Sequence, residues 1–296
     1  MKTITLLLIS IFISAFAFSQ NKPVKDTVWR AGGNIILTVA QTSFTNWAAG
    51  GENSYSGTSR AGFFGNYKKN KIMWENNLDM AYGRASQGGS KLKKTDDFIE
   101  LNSKFGYQTK NTKWFYTVVF NGKTQFSKGY QYSDVDTIPD FTTSQPFAPL
   151  YLNLAIGIDF QPNKYLSLFI SPLNSKNIYV NDIKYSQRYS IDSAKHFRSD
   201  LGALVKFKFN KEIVKNVSFL TKLDLFANYL ALESVKDIDV NWEILISMKV
   251  YKMLSVNLNT QLIWDNDVKY VYENGTLGDA RVQFKEIFGA GLAYKF

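Results

Sequence analysis

The chain has 296 residues, with 35 Lys and Arg against 25 Asp and Glu, one His and no Cys. Without Cys there is no disulfide scaffold, thiolate-bound metal, iron–sulfur centre, thiol nucleophile or acylated lipoprotein anchor. One His excludes a multi-histidine metal site, and 23 Phe with 17 Tyr against 6 Pro is far from a disordered composition.

Met1–Gln20 reads MKTITLLLISIFISAFAFSQ. Lys2 is a basic start, an apolar run follows from Ile4 to Phe18, and Ala17-Phe18-Ser19 is a small-x-small cleavage site. This predicts a secretory signal peptide over residues 1–19, cut before Gln20. The run is short for a membrane-spanning helix, and no later stretch approaches the required length. Residues 20–33 then form a short periplasmic segment, and residues 34–296 an outer-membrane barrel.

From residue 34 onward, apolar and polar residues alternate with period two. Leu254, Val256, Leu258, Thr260, Leu262 and Trp264 share one face; Ser255, Asn257, Asn259, Gln261, Ile263 and Asp265 share the other. The same rule predicts twelve strands, near 34–45, 54–68, 72–84, 96–109, 114–126, 150–161, 164–174, 197–209, 217–229, 239–251, 254–265 and 285–296. The seventh is ended at Pro172, a residue without a backbone donor. Every second connection is short and the others are long. That asymmetry belongs to a transmembrane antiparallel up-and-down β-barrel with periplasmic turns and extracellular loops, an all-β fold. A soluble sandwich has no reason to sort its loops this way.

One face of these strands carries large charged groups: Arg60, Glu75, Asp79, Glu100, Lys104, Asp159, Lys206, Lys208, Lys222, Asp224, Glu243 and Lys249. The other carries Phe63, Leu78, Phe105, Val118, Leu154, Phe207, Leu223 and Ile244. Membrane insertion puts the second face outside, so Arg60, Glu75, Asp79, Glu100, Lys104, Lys206, Lys222, Asp224 and Glu243 are expected to line the lumen. Trp74 and Trp114 fall at the short-turn end, Trp242 and Trp264 at the long-loop end, as in two aromatic belts. Lysines in the short turns, such as Lys68, Lys69 and Lys71, suit contact with anionic lipid headgroups. Nucleic-acid binding is not expected of an exported barrel. At the C-terminus, Gly291, Tyr294 and Phe296 look like the signal read by the barrel-insertion machinery, an expected partner during biogenesis.

Between Trp29 and Ser54 the chain reads WRAGGNIILTVAQTSFTNWAAGGENS. Trp29, Gly32 and Gly33 precede a cluster of Gln41, Ser43, Asn46, Trp47, Gly50, Gly51, Asn53 and Ser54. This N-W-x-x-G-G-x-N-S segment resembles an uncharacterised family of Bacteroidota outer-membrane proteins, catalogued as a domain of unknown function. The resemblance implies an outer-membrane barrel and carries over no catalytic residues. Glycine and asparagine clusters usually mark turns, so the segment is either a structured first loop or a docking surface.

No enzyme or cofactor signature emerges. His196 and Ser199 are three apart, which puts them on opposite faces of an alternating strand. No G-x-S-x-G elbow is present. Asp134, Asp136 and Asp140 cluster in a loop without EF-hand spacing, so a solvated acidic loop is expected rather than a metal site. Two functions remain: a small pore or transporter for polar solutes, or a non-conducting barrel serving as scaffold or accessory subunit of an envelope secretion or assembly complex.

Overall fold

A computed structural model describes residues 28–43, 52–132, 141–231, 237–272 and 276–296. The signal-peptide segment, Asn46, Trp47, Gly50, Gly51, Asp134, Asp136 and Asp140 lie outside the described residues. Fourteen strands are described: β1 (Trp29–Thr42), β2 (Ser54–Lys69), β3 (Ile72–Gln87), β4 (Lys93–Gln108), β5 (Trp114–Thr124), β6 (Gly129–Gln131), β7 (Phe141–Ser144), β8 (Leu150–Asn163), β9 (Leu166–Tyr179), β10 (Phe197–Val214), β11 (Val217–Asn228), β12 (Ile238–Tyr251), β13 (Leu254–Trp264) and β14 (Gln283–Lys295). Twelve close an antiparallel barrel in chain order, and β6 and β7 form a separate hairpin in the loop between β5 and β8. Among the described residues no helix is long and apolar enough to cross a membrane.

Closure of the barrel pairs β1 with β14, from Asn34 opposite Lys295 to Val39 opposite Ala290. The backbones come very close at this seam. A Cβ on Gly291 would meet the Leu37 carbonyl oxygen at 1.8 Å, so only glycine fits there. Gly33 and Phe296 exchange two backbone hydrogen bonds of 3.0 Å below it.

Two strand limits differ from the sequence expectation for physical reasons. β1 starts at Trp29, so residues 29–33 belong to the barrel wall rather than to a periplasmic segment. Gly32 and Gly33, poor strand formers in isolation, are held by pairing with Phe64 and Phe63. β9 runs through Pro172 to Tyr179. The register shifts there against both β8 and β10, which takes the proline out of the ladder. Ser171 Oγ stands in for the lost backbone donor, bonding the Ile156 carbonyl at 2.8 Å.

The outer face is mostly apolar. Leu37, Val39, Leu101, Phe105, Val118, Leu154, Ile156, Ile170, Leu201 and Leu292 are all exposed, and Phe284 and Phe288 each show 63% of their surface. A soluble protein does not leave a continuous apolar band of this kind in water. A closed ladder with an apolar outside satisfies every backbone group and meets lipid on its surface, so the fold is a transmembrane β-barrel. Polar groups on this face pair with one another. The Trp74 indole donates to Ser103 Oγ (2.9 Å), Ser103 donates to Asn76 (2.8 Å), and Asn76 donates to the Gly65 carbonyl (3.1 Å). Likewise Trp242 donates to Thr221 Oγ1 at 2.9 Å. Trp29, Tyr67 and Trp74 form an aromatic cluster near the short-turn rim, with ring centroids 5.2 and 5.9 Å apart.

Candidate functional site: the charged lumen

Strand alternation turns one side chain in two toward the lumen, and the contacts made there define three levels. At mid-height, Arg60 of β2 donates to Asp96 of β4 (3.0 Å) and Asn259 of β13 (2.8 Å), and lies 3.5 Å from Glu243 of β12. Lys222 of β11 lies 3.6 Å from Glu243 and 3.7 Å from Asp79 of β3. Lys123 of β5 lies 3.6 Å from Glu100 of β4. Lys206 of β10 and Asp224 of β11 are register partners, joined at 2.5 Å. Lys285 of β14 reaches Asp96 at 3.0 Å from the other side.

The Lys222–Asp79 contact fixes the shape of the lumen. In the closed order β3 and β11 stand six strands apart out of twelve, so they occupy opposite walls. A round barrel of twelve strands at normal spacing and tilt is about 24 Å across. Two side chains cannot span that width and meet at 3.7 Å. The barrel is therefore an oval, pinched between β3 and β11. Part of the remaining lumen is filled by apolar groups from β5, β8, β9, β10 and β11: Val119, Ala155, Phe169, Leu204 and Phe226 pack there as a buried cluster.

Toward the short-turn end, Lys104 of β4 meets the fully buried Asp159 of β8 at 2.5 Å. Asp159 also accepts from Ser167 (2.8 Å) and Gln161 (2.6 Å). Glu75 stands opposite Lys104 in the β3–β4 register. Toward the long-loop end, Lys176 of β9 donates to Asp239 (2.6 Å) and Asp265 (3.0 Å) and lies 3.9 Å from Asp267. These three carboxylates come within 4.8 Å of one another, close enough to hold a cation, and the Lys176 ammonium is the cation they hold.

Two cavities follow the axis. A small one of about 30 Å³, bordered by Glu100, Lys123, Lys222, Asp224 and Glu243, sits at the pinch. That is room for a few waters at most. Above it a vestibule of about 280 Å³ is bordered by Lys94, Asp96, Asp97, Lys123, Gln125 and Lys285. Phe98, Lys123 and Gln261 border both. Lys123 sits 5.2 Å from the centre of the Phe98 ring, and Arg60 sits 5.8 Å from it.

The β9–β10 loop folds over the outer end as a cap. Its two single-turn 3-10 helices, Ile183–Tyr185 and Gln187–Tyr189, bring Tyr185, Tyr189 and Ile191 into a buried cluster with Ala148, Ile178 and Val180. Burial pushes the Tyr189 phenol above its ordinary range. The cap is tied to the β13–β14 loop: Arg198 meets Asp267 at 2.8 Å, Ser190 Oγ donates to the Asp267 carbonyl at 2.8 Å, and Lys269 donates to the Arg188 carbonyl at 3.0 Å.

The other singled-out residues fall as follows. Gln41 pairs with Tyr55 and Ser54 with Gln87 at the outer end of the wall, and the Asn53 carbonyl accepts from Gly88 at 2.8 Å. Gly291 stands opposite Thr38 and Ser255, and the rings of Tyr294 and Phe296 stack at 6.0 Å. His196 Nδ1 lies 2.8 Å from the Val180 carbonyl, and Ser199 is paired with Asn177. Sequence reasoning missed Asp96, Lys123, Lys176 and Lys285 as lumen groups. Asp96, Lys123 and Lys285 share the lumen parity of their strands and were readable by alternation. Lys176 lies beyond Pro172, where the predicted strand had ended.

Residues 39–130, from β1 into β6, match a family described as a protein of unknown function, DUF3078. No curated protein matches the sequence. Among solved structures, the chain is similar to an outer membrane channel from Pseudomonas putida F1, at 12% identity over 94% of this chain and 97% of that one, with a TM-score of 0.38. It is similar to the NanC porin at 8% identity over 88% and 98% of the two chains, with a TM-score of 0.38. It is also similar to the outer membrane channel DcaP of Acinetobacter baumannii, at 9% identity over 90% and 95%, with a TM-score of 0.30.

Proposed function

We propose that this chain is an integral outer-membrane barrel that works as a narrow pore for small polar solutes. The observation that carries the reading is the lumen itself. It is lined by charges of both signs at three levels, and a vestibule of about 280 Å³ leads down to a pinch of about 30 Å³. The apolar filling is confined to the Val119–Phe226 side. Ion pairs spread along the axis instead offer a polar solute successive partners.

Three finer readings belong to the same proposal. The chain is exported by a signal peptide cleaved after residue 19, it comes from a Bacteroidota organism, and Gly291, Tyr294 and Phe296 are read by the insertion machinery. The alternative, a non-conducting scaffold or accessory barrel, draws support from the 3.7 Å contact between opposite walls.

Planar-bilayer recording of the refolded protein decides between them. The pore reading expects a small, reproducible conductance whose ion preference moves toward anions in Glu100→Gln. A correctly folded barrel that stays silent, as wild type and after Arg60→Ala and Glu243→Ala, would establish the scaffold reading.

A further inference from the structure

The mid-lumen cations are not held alike. Arg60, Lys104, Lys206 and Lys285 each reach a carboxylate at 3.0 Å or less. Lys123 and Lys222 have no carboxylate oxygen closer than 3.6 Å, and of the two only Lys222 reaches the opposite wall. Lys222 stands instead among several carboxylates at once: Glu243 on the neighbouring strand, Asp79 on the opposite wall, and Glu100 and Asp224, which border the same small cavity. A lysine bound by short, directional hydrogen bonds is fixed in place. An ammonium group held at these distances by two carboxylates on different strands, with two more around the same cavity, is positioned like a free ion in a ring, on a flexible four-carbon stem.

Its place on the axis matters as much as its partners. Lys222 borders the small cavity at the pinch but not the vestibule above it. The small cavity is thus bordered by a group that is anchored to one wall and attracted to the other.

We infer that Lys222 is a tethered plug: its ammonium group fills the gap between the β3 and β11 walls, and its removal turns the barrel into an open pore that favours cations more than wild type does. The inference rests on the pore reading above and names the residue that limits passage. Charge sets the predicted selectivity. Removing Lys222 takes one positive charge from a level that holds Asp79, Glu100, Asp224 and Glu243 with Arg60, Lys123, Lys206 and Lys208, the register partner of Lys222, so selectivity moves toward cations relative to wild type. A small primary alkylammonium ion would then take the vacated position and block it.

The test uses the full-length barrel carrying Lys222→Ala, with Lys222→Met as a second variant that keeps the stem volume and Lys215→Ala, in a short turn, as control. Folding is confirmed by heat-modifiable migration. Both Lys222 variants should conduct several-fold more than wild type and the control, with a reversal potential shifted toward K⁺ over Cl⁻. Millimolar n-butylammonium should block Lys222→Ala and leave wild type unaffected. Wild-type conductance in folded Lys222 variants would overturn the plug while leaving the pore reading intact, and so would a shift toward anions. A second readout works without current: n-butylammonium should raise the unfolding temperature of Lys222→Ala but not of wild type. That shift in a silent barrel would show the vacated site taking the ion, but would overturn the plug together with the pore reading. Silence with no shift would sink both.

Discussion

Asp159 is a lumen residue whose loss should be costly for stability. Its carboxylate is fully buried and takes hydrogen bonds from Ser167 and Gln161 besides the Lys104 ammonium. Removing one partner of a buried pair strands the other charge, which costs about 3–5 kcal/mol. Asp159→Leu should therefore lower the unfolding free energy by about that amount in urea titrations followed by tryptophan fluorescence. The double variant Lys104→Met/Asp159→Leu should recover most of it, because no stranded charge remains. A smaller effect is expected on the lipid side. Thr221→Val leaves the Trp242 indole N–H without its acceptor in an apolar setting, a loss of about 1–3 kcal/mol in the same titration. Period-two alternation was enough to put Asp159 on the charged face. The pairing with Lys104 was not legible, since the residues lie 55 positions apart on strands that are not neighbours.

At the scale of elements, the barrel strands were legible because lipid outside and charge inside impose opposite chemistry on successive residues. The loop elements were not, because nothing imposes a period on them. The β6–β7 hairpin and the two 3-10 turns at Ile183–Tyr185 and Gln187–Tyr189 are fixed by long-range packing and capping contacts. Pro172 misled for a different reason: a proline stops a regular ladder, but a bulge with a serine hydroxyl beside it carries the strand past. The bulge also requires Gly157, since a Cβ there would stand 2.1 Å from the Ile170 carbonyl oxygen. The cap yields its own prediction. Arg198→Ala removes the ion pair that ties the cap to the β13–β14 loop. Limited proteolysis of the folded barrel should then cut within residues 180–196 faster than in wild type, while the heat-modifiable core survives.

For the molecule as a whole, the ion pairs between distant walls act as cross-braces on an oval section. Arg60 joins β2 to β4 and β12, Lys222 joins β11 to β3, and Lys285 joins β14 to β4. No reading of the sequence could show this oval: alternation tells which face a residue takes and says nothing of how wide the tube is. The seam has a separate consequence, in time rather than in space. Eleven of the twelve wall pairings join strands that follow one another around the barrel in chain order, and each can zip up from a turn or loop. The twelfth brings Thr38 against Gly291, across nearly the whole chain. Loop-closure entropy must be overcome before such a contact contributes, so non-local pairings form slowly. Hairpin formation should therefore precede sealing, with an open, curled sheet as the species that waits. Gly291→Ala, which crowds only the seam, should lengthen the slow phase of refolding into vesicles and leave the early gain of sheet signal unchanged.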